Sequence, residues 1–315
     1  MEESFDYVVV GAGSGGCAVA ARLSENPSTR VLVLEAGGRD RSPNIKIPAA
    51  FSKQFRTKLD WEYSSGPEPA LDDRELFIPR GKSLGGSSSM NAMMYVRGRP
   101  LDYDSWREAG CPGWGYEDVL PYFKRAENNE RGASDVHGTG GPLNVADQRS
   151  PRPLTRRFLE ATQATGIPAN PDINSPEQDG VSITQVTQRN GRRWSSADAY
   201  LRPAMKRPNV TVKTGAQVLG IAFDGDRAAG IRWRDSKGRD AIARAGREVV
   251  LCAGAIGSPQ ILMVSGIGPR EHLSSLGIET RVDLPGVGEN LQDHPFVLLC
   301  YECTAPESLA DAEKP

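Results

Sequence analysis

Long apolar runs are missing from this 315-residue chain, and none approaches the roughly 20 residues that a membrane-spanning helix needs. The start, Met1-Glu2-Glu3, is acidic and lacks the basic region of a secretory signal, so a cytoplasmic protein is expected. Charge of one sign is also scarce: the formal net charge is −2, and Arg189, Arg192 and Arg193 form the one dense basic cluster. That distribution excludes the electrostatic footprint of a nucleic-acid-binding protein. Cysteines number five, odd and scattered, which excludes a disulfide framework. Cys17 and Cys252 sit where a helix and a buried strand want small hydrophobes. Cys300 and Cys303 form a C-x-x-C with no second pair and no nearby histidine to complete a zinc set, so no metal is expected. The alternation over residues 298–303 reads instead as a strand. Histidine is rarer still, with only His137, His272 and His294. By position they fall in a turn, in a short helix and before Pro295, and a structural or solvated role suits each better than catalysis.

What is present suits a folded protein with a core of its own. Hydrophobic residues at 38% and charged residues at 25% supply a sizeable core, enough for one large or two modest domains. Phe5 to Val10 is a short β-branched run that reads as a strand buried on both faces of a parallel sheet. It leads into Gly11-Ala12-Gly13-Ser14-Gly15-Gly16, a helical stretch from Cys17 to Leu23, and a second strand from Arg30 to Leu34 that ends at Glu35. Gly11 permits the tight turn, Gly13 lets the backbone approach a pyrophosphate, and Gly16 lets the helix sit close to the sheet. The helix N-terminus, with unpaired N–H groups, then holds the negative charge. Glu35, about 20 residues on, is placed to accept hydrogen bonds from an adenosine ribose and would repel a 2′-phosphate. This strand–turn–helix–strand–acid order points to an ADP-containing cofactor other than NADP, without separating FAD from NAD.

Farther along, Trp61 to Tyr63 opens an irregular excursion. Asp118 is expected to cap a helix from Val119 to about Asn128, with Pro121 in its first turn. Thr155 to Thr165 has helical spacing and stops at Gly166, and Ser195-Ser196-Ala197-Asp198 opens a short helix with a capping box. From Asn209 the period changes to two. Val210–Lys213, Val218–Phe223 and Gly230–Arg234 alternate as half-buried strands, with Asp224-Gly225-Asp226 as a turn, which predicts a small antiparallel meander. Glu248 to Gly254 is another fully apolar strand, followed by a helix from about Ser258 to Val264. That strand belongs in the parallel sheet, so the cofactor domain is discontinuous in sequence. An ordinary NAD domain completes its strands consecutively, and the interruption therefore favours FAD.

Residues 81–98, GKSLGGSSSMNAMMYVRG, can lay backbone N–H groups and small hydroxyls against a planar ligand. This segment fits the first signature of the glucose–methanol–choline (GMC) oxidoreductases, and Gly254 to Gly268 fits the second. Leu284 to His294 is similar to a further block of that family. The chain resembles the N-terminal part of a GMC enzyme, closest to choline-dehydrogenase-like members, over almost its whole length. The resemblance implies an α/β fold: a Rossmann-like FAD-binding domain with a parallel sheet plus the small meander, the substrate domain being largely missing. Residues 1–300 would form the FAD-binding domain, with 150–207 a substrate-domain excursion, and 301–315 would begin a truncated C-terminal substrate domain.

By the same resemblance, Gly11, Gly13, Ser14 and Gly16 would hold the FAD pyrophosphate and Glu35 the ribose. Ser83, Asn91, Ala92, Met93 and Met94 would line the flavin end, and Val218 would present its backbone to the adenine. The fingerprint turn and the serine-rich bend are thus expected to grip one dinucleotide. Some members attach FAD through a histidine in the glycine loop; Met90 stands there, which implies a non-covalent flavin. The implied chemistry is oxidation of an alcohol: a base takes the hydroxyl proton, the α-hydrogen leaves as hydride to flavin N5, and oxygen or a quinone-type acceptor reoxidises the flavin. A neutral histidine suits the base role. The family's catalytic histidine lies in the C-terminal half, so no catalytic residue is expected in this chain, and the polypeptide alone should be nearly inactive. A non-catalytic flavin-binding module, an NAD-dependent dehydrogenase and a lyase or decarboxylase are the alternatives.

Overall fold

A computed structural model describes residues 2–294 and 296–302. The chain divides into two compact units, one of residues 1–92 and 192–292, the other of 93–191 with the described residues from 293 on.

In the first unit, β1 (Glu2–Val10), β2 (Val31–Glu35), β3 (Val210–Thr214), β4 (Gln217–Asp224), β5 (Arg227–Arg234) and β6 (Asp240–Leu251) form one sheet in the order β4-β5-β6-β1-β2-β3. β1 pairs in parallel with both β6 and β2, and β2 with β3, whereas β4, β5 and β6 run antiparallel. The alternation along β1 explains why both faces are covered. Val8 and Val10 pack with Leu32, Leu34, Ile231 and Ile261 on one face, and Val9 packs with Val31, Val33, Cys17 and Leu201 on the other. Each such fully buried aliphatic side chain contributes about 1.5–3 kcal/mol. Helix α1 (Ser14–Leu23) lays Cys17, Ala20 and Ala21 on the sheet, small residues that allow a close approach. Helix α2 (Gly254–Met263) begins directly after β6 and buries Ile261 on the opposite face.

Four expectations shift. The segment starting at Val210 is not part of the meander: it extends the parallel sheet at its edge beside β2, and the antiparallel run consists of β4, β5 and β6. Half-buried alternation is the same in either setting, so only the pairing partner could decide. The second unit begins at Met93, not at 150, and residues 192–207 pack in the first, where Leu201 is fully buried among core residues. Helix α2 starts at Gly254, four residues before the expected Ser258. The strand expected from Phe296 is not formed over 296–302; these residues have no ladder partner among the described residues, and a strand needs one. Cys303 and the expected domain start over 303–315 lie outside the described residues, as does Pro295.

The second unit carries helices Pro100–Glu108, Tyr116–Ala126 and Pro153–Ala164 and a short parallel pair, Glu127–Asn129 with Leu143–Val145. Asp118 is the third residue of its helix and accepts from the Gly115 N–H at 3.0 Å, so Pro121 falls inside the helix rather than in its first turn. No helix among the described residues is long and apolar enough to cross a membrane.

Candidate functional site

Three parallel strands end together at one edge of the first unit. Gly11 follows β1, Glu35 closes β2, and Cys252 follows β6; the N-termini of α1 and α2 stand just beyond. Between them lies a cleft of about 520 Å³, the position where open α/β sheets bind ligands. Gly11, Gly13, Ser14, Glu35 and Val218 all line it. Gly16 does not; it sits behind the wall, where a Cβ would stand 1.9 Å from the Gly11 carbonyl oxygen. Its bareness lets α1 begin tight against the turn that the cleft uses.

Glu35 is 6% exposed, and its two oxygens accept from the N–H groups of Ala12 (2.9 Å) and Gly37 (2.8 Å). Burial pushes its carboxyl above the ordinary range, while those two N–H groups and the nearby Lys82 charge pull it back. Each oxygen keeps a second acceptor site, as a vicinal diol requires. A phosphate there would meet a carboxylate instead of a donor.

The Gly/Ser loop packs onto the fingerprint turn. Gly85 N–H donates to the Ala12 carbonyl at 2.7 Å, and a Cβ on Gly86 would come within 2.7 Å of the Gly13 Cα. Gly81, Gly86 and Ser87 therefore share the cleft with the turn. Ser83 is buried, with its hydroxyl toward the Leu84 carbonyl at 3.4 Å. Asn91 is exposed and Ala92 half-buried; both lie in the first unit but are not among the cleft-lining residues. Met93 and Met94 belong to the second unit. There Met93 is buried with φ +64°, its carbonyl accepting from Thr187 N–H at 2.8 Å, and Met94 is 63% exposed.

Several cleft residues were not singled out from the sequence as cofactor-binding. Trp61 and Tyr63 stack at 5.7 Å on the cleft wall, with the Lys82 ammonium 4.4 Å from the Trp61 ring. Arg80 and the Cys252–Gly257 stretch also line it. Burial raises the Cys252 thiol, and pushes Cys17, whose Sγ points at the Ala12 carbonyl, up to about 12, so neither is a ready thiolate. Arg193, read from sequence as part of a basic cluster, is buried.

The residues lining the cleft include no histidine. His137 belongs to the second unit, bonded through Nδ1 to Glu127 (3.0 Å) and through Nε2 to Asp172 (2.8 Å). His272 lies in the short helix Arg270–Ser275, and His294 is exposed. No group of His, Cys, Asp and Glu among the described residues could hold a metal ion.

A family model described as GMC oxidoreductase matches residues 5–296. An uncharacterized GMC-type oxidoreductase of Mycobacterium tuberculosis is 51% identical over 319 residues, covering 100% of this chain and 60% of the relative. An oxygen-dependent choline dehydrogenase of Brucella suis is 47% identical over 305 residues, covering 96% of this chain and 55% of its own. The solved structure of an FAD-dependent oxidoreductase from Chaetomium thermophilum superimposes with a TM-score of 0.86 at 32% identity, over 92% of this chain and 52% of that one. This chain thus spans between half and two thirds of the length of the relatives it matches.

Proposed function

The chain belongs to the GMC oxidoreductase family, and from that premise we propose that it binds FAD without a covalent link and forms the flavin-holding part of an oxidoreductase acting on the CH–OH group of an alcohol. One observation carries the reading: the glycine turn, the ribose-competent Glu35 and the N-termini of α1 and α2 converge on a single cleft. When bound, FAD supplies an acceptor for the hydride that leaves the alcohol carbon.

The chain's own residues do the holding. Gly13 and Ser14 offer backbone N–H groups and the positive end of α1 to the diphosphate, Gly11, whose own N–H donates to the Leu34 carbonyl, makes the turn beneath it, and Gly16 lets that helix start close to the turn. Glu35 accepts from the ribose hydroxyls, and Val218 borders the adenine. Within the first unit, Ser83, Asn91 and Ala92 take the flavin end. Met90 offers no nitrogen for a covalent bond to the flavin.

We assign the proton-accepting base to none of the three histidines, since none is among the residues lining the cleft. The polypeptide by itself is therefore expected to oxidise alcohols poorly. Titrating the purified chain with FAD and following flavin fluorescence tests the proposal. One FAD per chain, with no comparable response to NADH, is the expected result; absence of saturable FAD binding would refute it. The same lack of a cleft histidine favours a second reading, a flavin-binding module without catalysis of its own. Adding the remaining part of a GMC relative in trans separates the two, because recovered alcohol turnover, with oxygen or a quinone as acceptor, excludes the module.

A further inference from the structure

Arg193 is 1% exposed, and burying a guanidinium costs several kcal/mol unless its donors are well used. Three of their four bonds converge on the Ser88–Asn91 segment. Nη1 donates to the Ser88 carbonyl (3.1 Å) and to Asn91 Oδ1 (2.8 Å), Nη2 donates to the Asn91 carbonyl (2.7 Å), and Nε donates to the Ile45 carbonyl (2.8 Å). All four acceptors are neutral oxygens. The planar fork therefore holds the side chain and the backbone of Asn91 from two nitrogens fixed in one plane, an arrangement the single nitrogen of a lysine lacks. Because a guanidinium only donates, Oδ1 must face Arg193, and the Asn91 amide NH2 is turned to the opposite side.

Neighbouring residues reinforce this grip. Ser196 N–H donates to Ser88 Oγ at 3.0 Å, and Ser88 Oγ donates to the Gly85 carbonyl at 2.6 Å. Asp198, which accepts from Ser195 Oγ at 2.9 Å, is tied to Lys46 at 2.9 Å, and Lys46 to the buried Asp40 at 3.0 Å. Residues 193–198 thus form a buckle under the loop of residues 85–91, about a hundred positions away in sequence.

We infer that Arg193 is a positioning residue for the flavin end of the cofactor, setting the conformation of the Ser88–Asn91 segment and the orientation of the Asn91 amide. The inference rests on the FAD reading above and deepens it. It is tested on the full chain with Arg193→Lys, which keeps the charge and loses the fork, and with Asn91→Leu, which removes the side-chain acceptor at an exposed position. The measurements are FAD affinity, the visible absorption band of bound FAD, and amide exchange over residues 85–92 without FAD. Loss of hydrogen bonds to a charged donor predicts FAD binding weakened by roughly ten- to a hundredfold in both variants. The bound-flavin band should shift, and exchange should speed up in that segment alone. Arg193→Lys that folds with unchanged affinity, band and exchange overturns the inference. If Arg193→Lys does not fold, unchanged affinity and exchange in Asn91→Leu overturn it. A wild-type chain that binds no FAD refutes the underlying reading instead, while the exchange measurement still decides whether Arg193 holds the loop.

Discussion

Gly15 and Gly16 are adjacent in α1 and meet opposite surroundings. A Cβ on Gly15 finds nothing within 4 Å, whereas one on Gly16 would stand 1.9 Å from a backbone oxygen that cannot swing aside. Gly16→Ala should therefore cost about 3 kcal/mol or more and abolish FAD binding, while Gly15→Ala should leave the melting temperature of the unliganded chain unchanged or slightly raised. Thermal melts of the two variants check the contrast; equal losses would show that the tight packing of Gly16 is not what matters. Glu35 gives the second prediction at this scale. Both its oxygens accept backbone N–H groups, so Glu35→Gln turns an amide NH2 toward a donor and leaves one buried N–H without an acceptor. FAD affinity should fall by roughly tenfold or more, read by fluorescence titration. The fingerprint glycines and Glu35 were legible in the sequence because their meaning lies in a contiguous strand–turn–helix–strand stretch. Arg193 was not, since nothing near it in the chain distinguishes it from the solvated Arg192.

Among the elements, the short pair Glu127–Asn129 with Leu143–Val145 is held by a buried charge cluster. Arg97 Nη2 meets Glu127 at 2.9 Å, and His137 lies between Glu127 and Asp172. The Glu127 and Asp172 bonds favour the charged imidazole against its burial and raise His137 above its ordinary 6.5. Stability from this group is thus complete below pH 6.5 and is lost as pH rises through the higher folded-state value. Burial alone would raise Glu127, but the bonds from His137 and Gly138 and the Arg97 charge outweigh it and hold the carboxyl below its ordinary 4.5. Its contribution is present above pH 4.5 and is lost as pH falls through the lower folded-state value. The second unit should be most stable between those two ordinary values. His137→Ala should cost about 3 kcal/mol and remove the decline on the alkaline side. Denaturant melts across pH, read through amide exchange in residues 127–145, check this; an unchanged alkaline limb in the variant would contradict it. From sequence His137 was only a structural or solvated residue in a turn. Its partners, 10 and 35 positions away, carry no mark in the sequence of being partners.

For the whole molecule, a ligand that binds only the folded chain must stabilise it, by about 2.7 kcal/mol at a hundredfold excess over its dissociation constant. FAD should therefore raise the melting temperature of the first unit. Denaturant should then release all yellow colour from the polypeptide, because Met90 cannot form the histidyl bond; colour kept on the precipitated chain would disprove non-covalent binding. By itself the sequence determined the α/β class, the two glycine-rich loops and the acid that ends β2, since each follows from the conformational freedom or periodicity of neighbouring residues. Tertiary structure alone decided that β3 pairs in parallel with β2, that α2 opens onto the same cleft as α1, and that a buried arginine clasps the serine-rich loop. Those outcomes depend on hydrogen bonds and burial between segments far apart in the chain, where one local pattern is compatible with several partners and only packing selects among them.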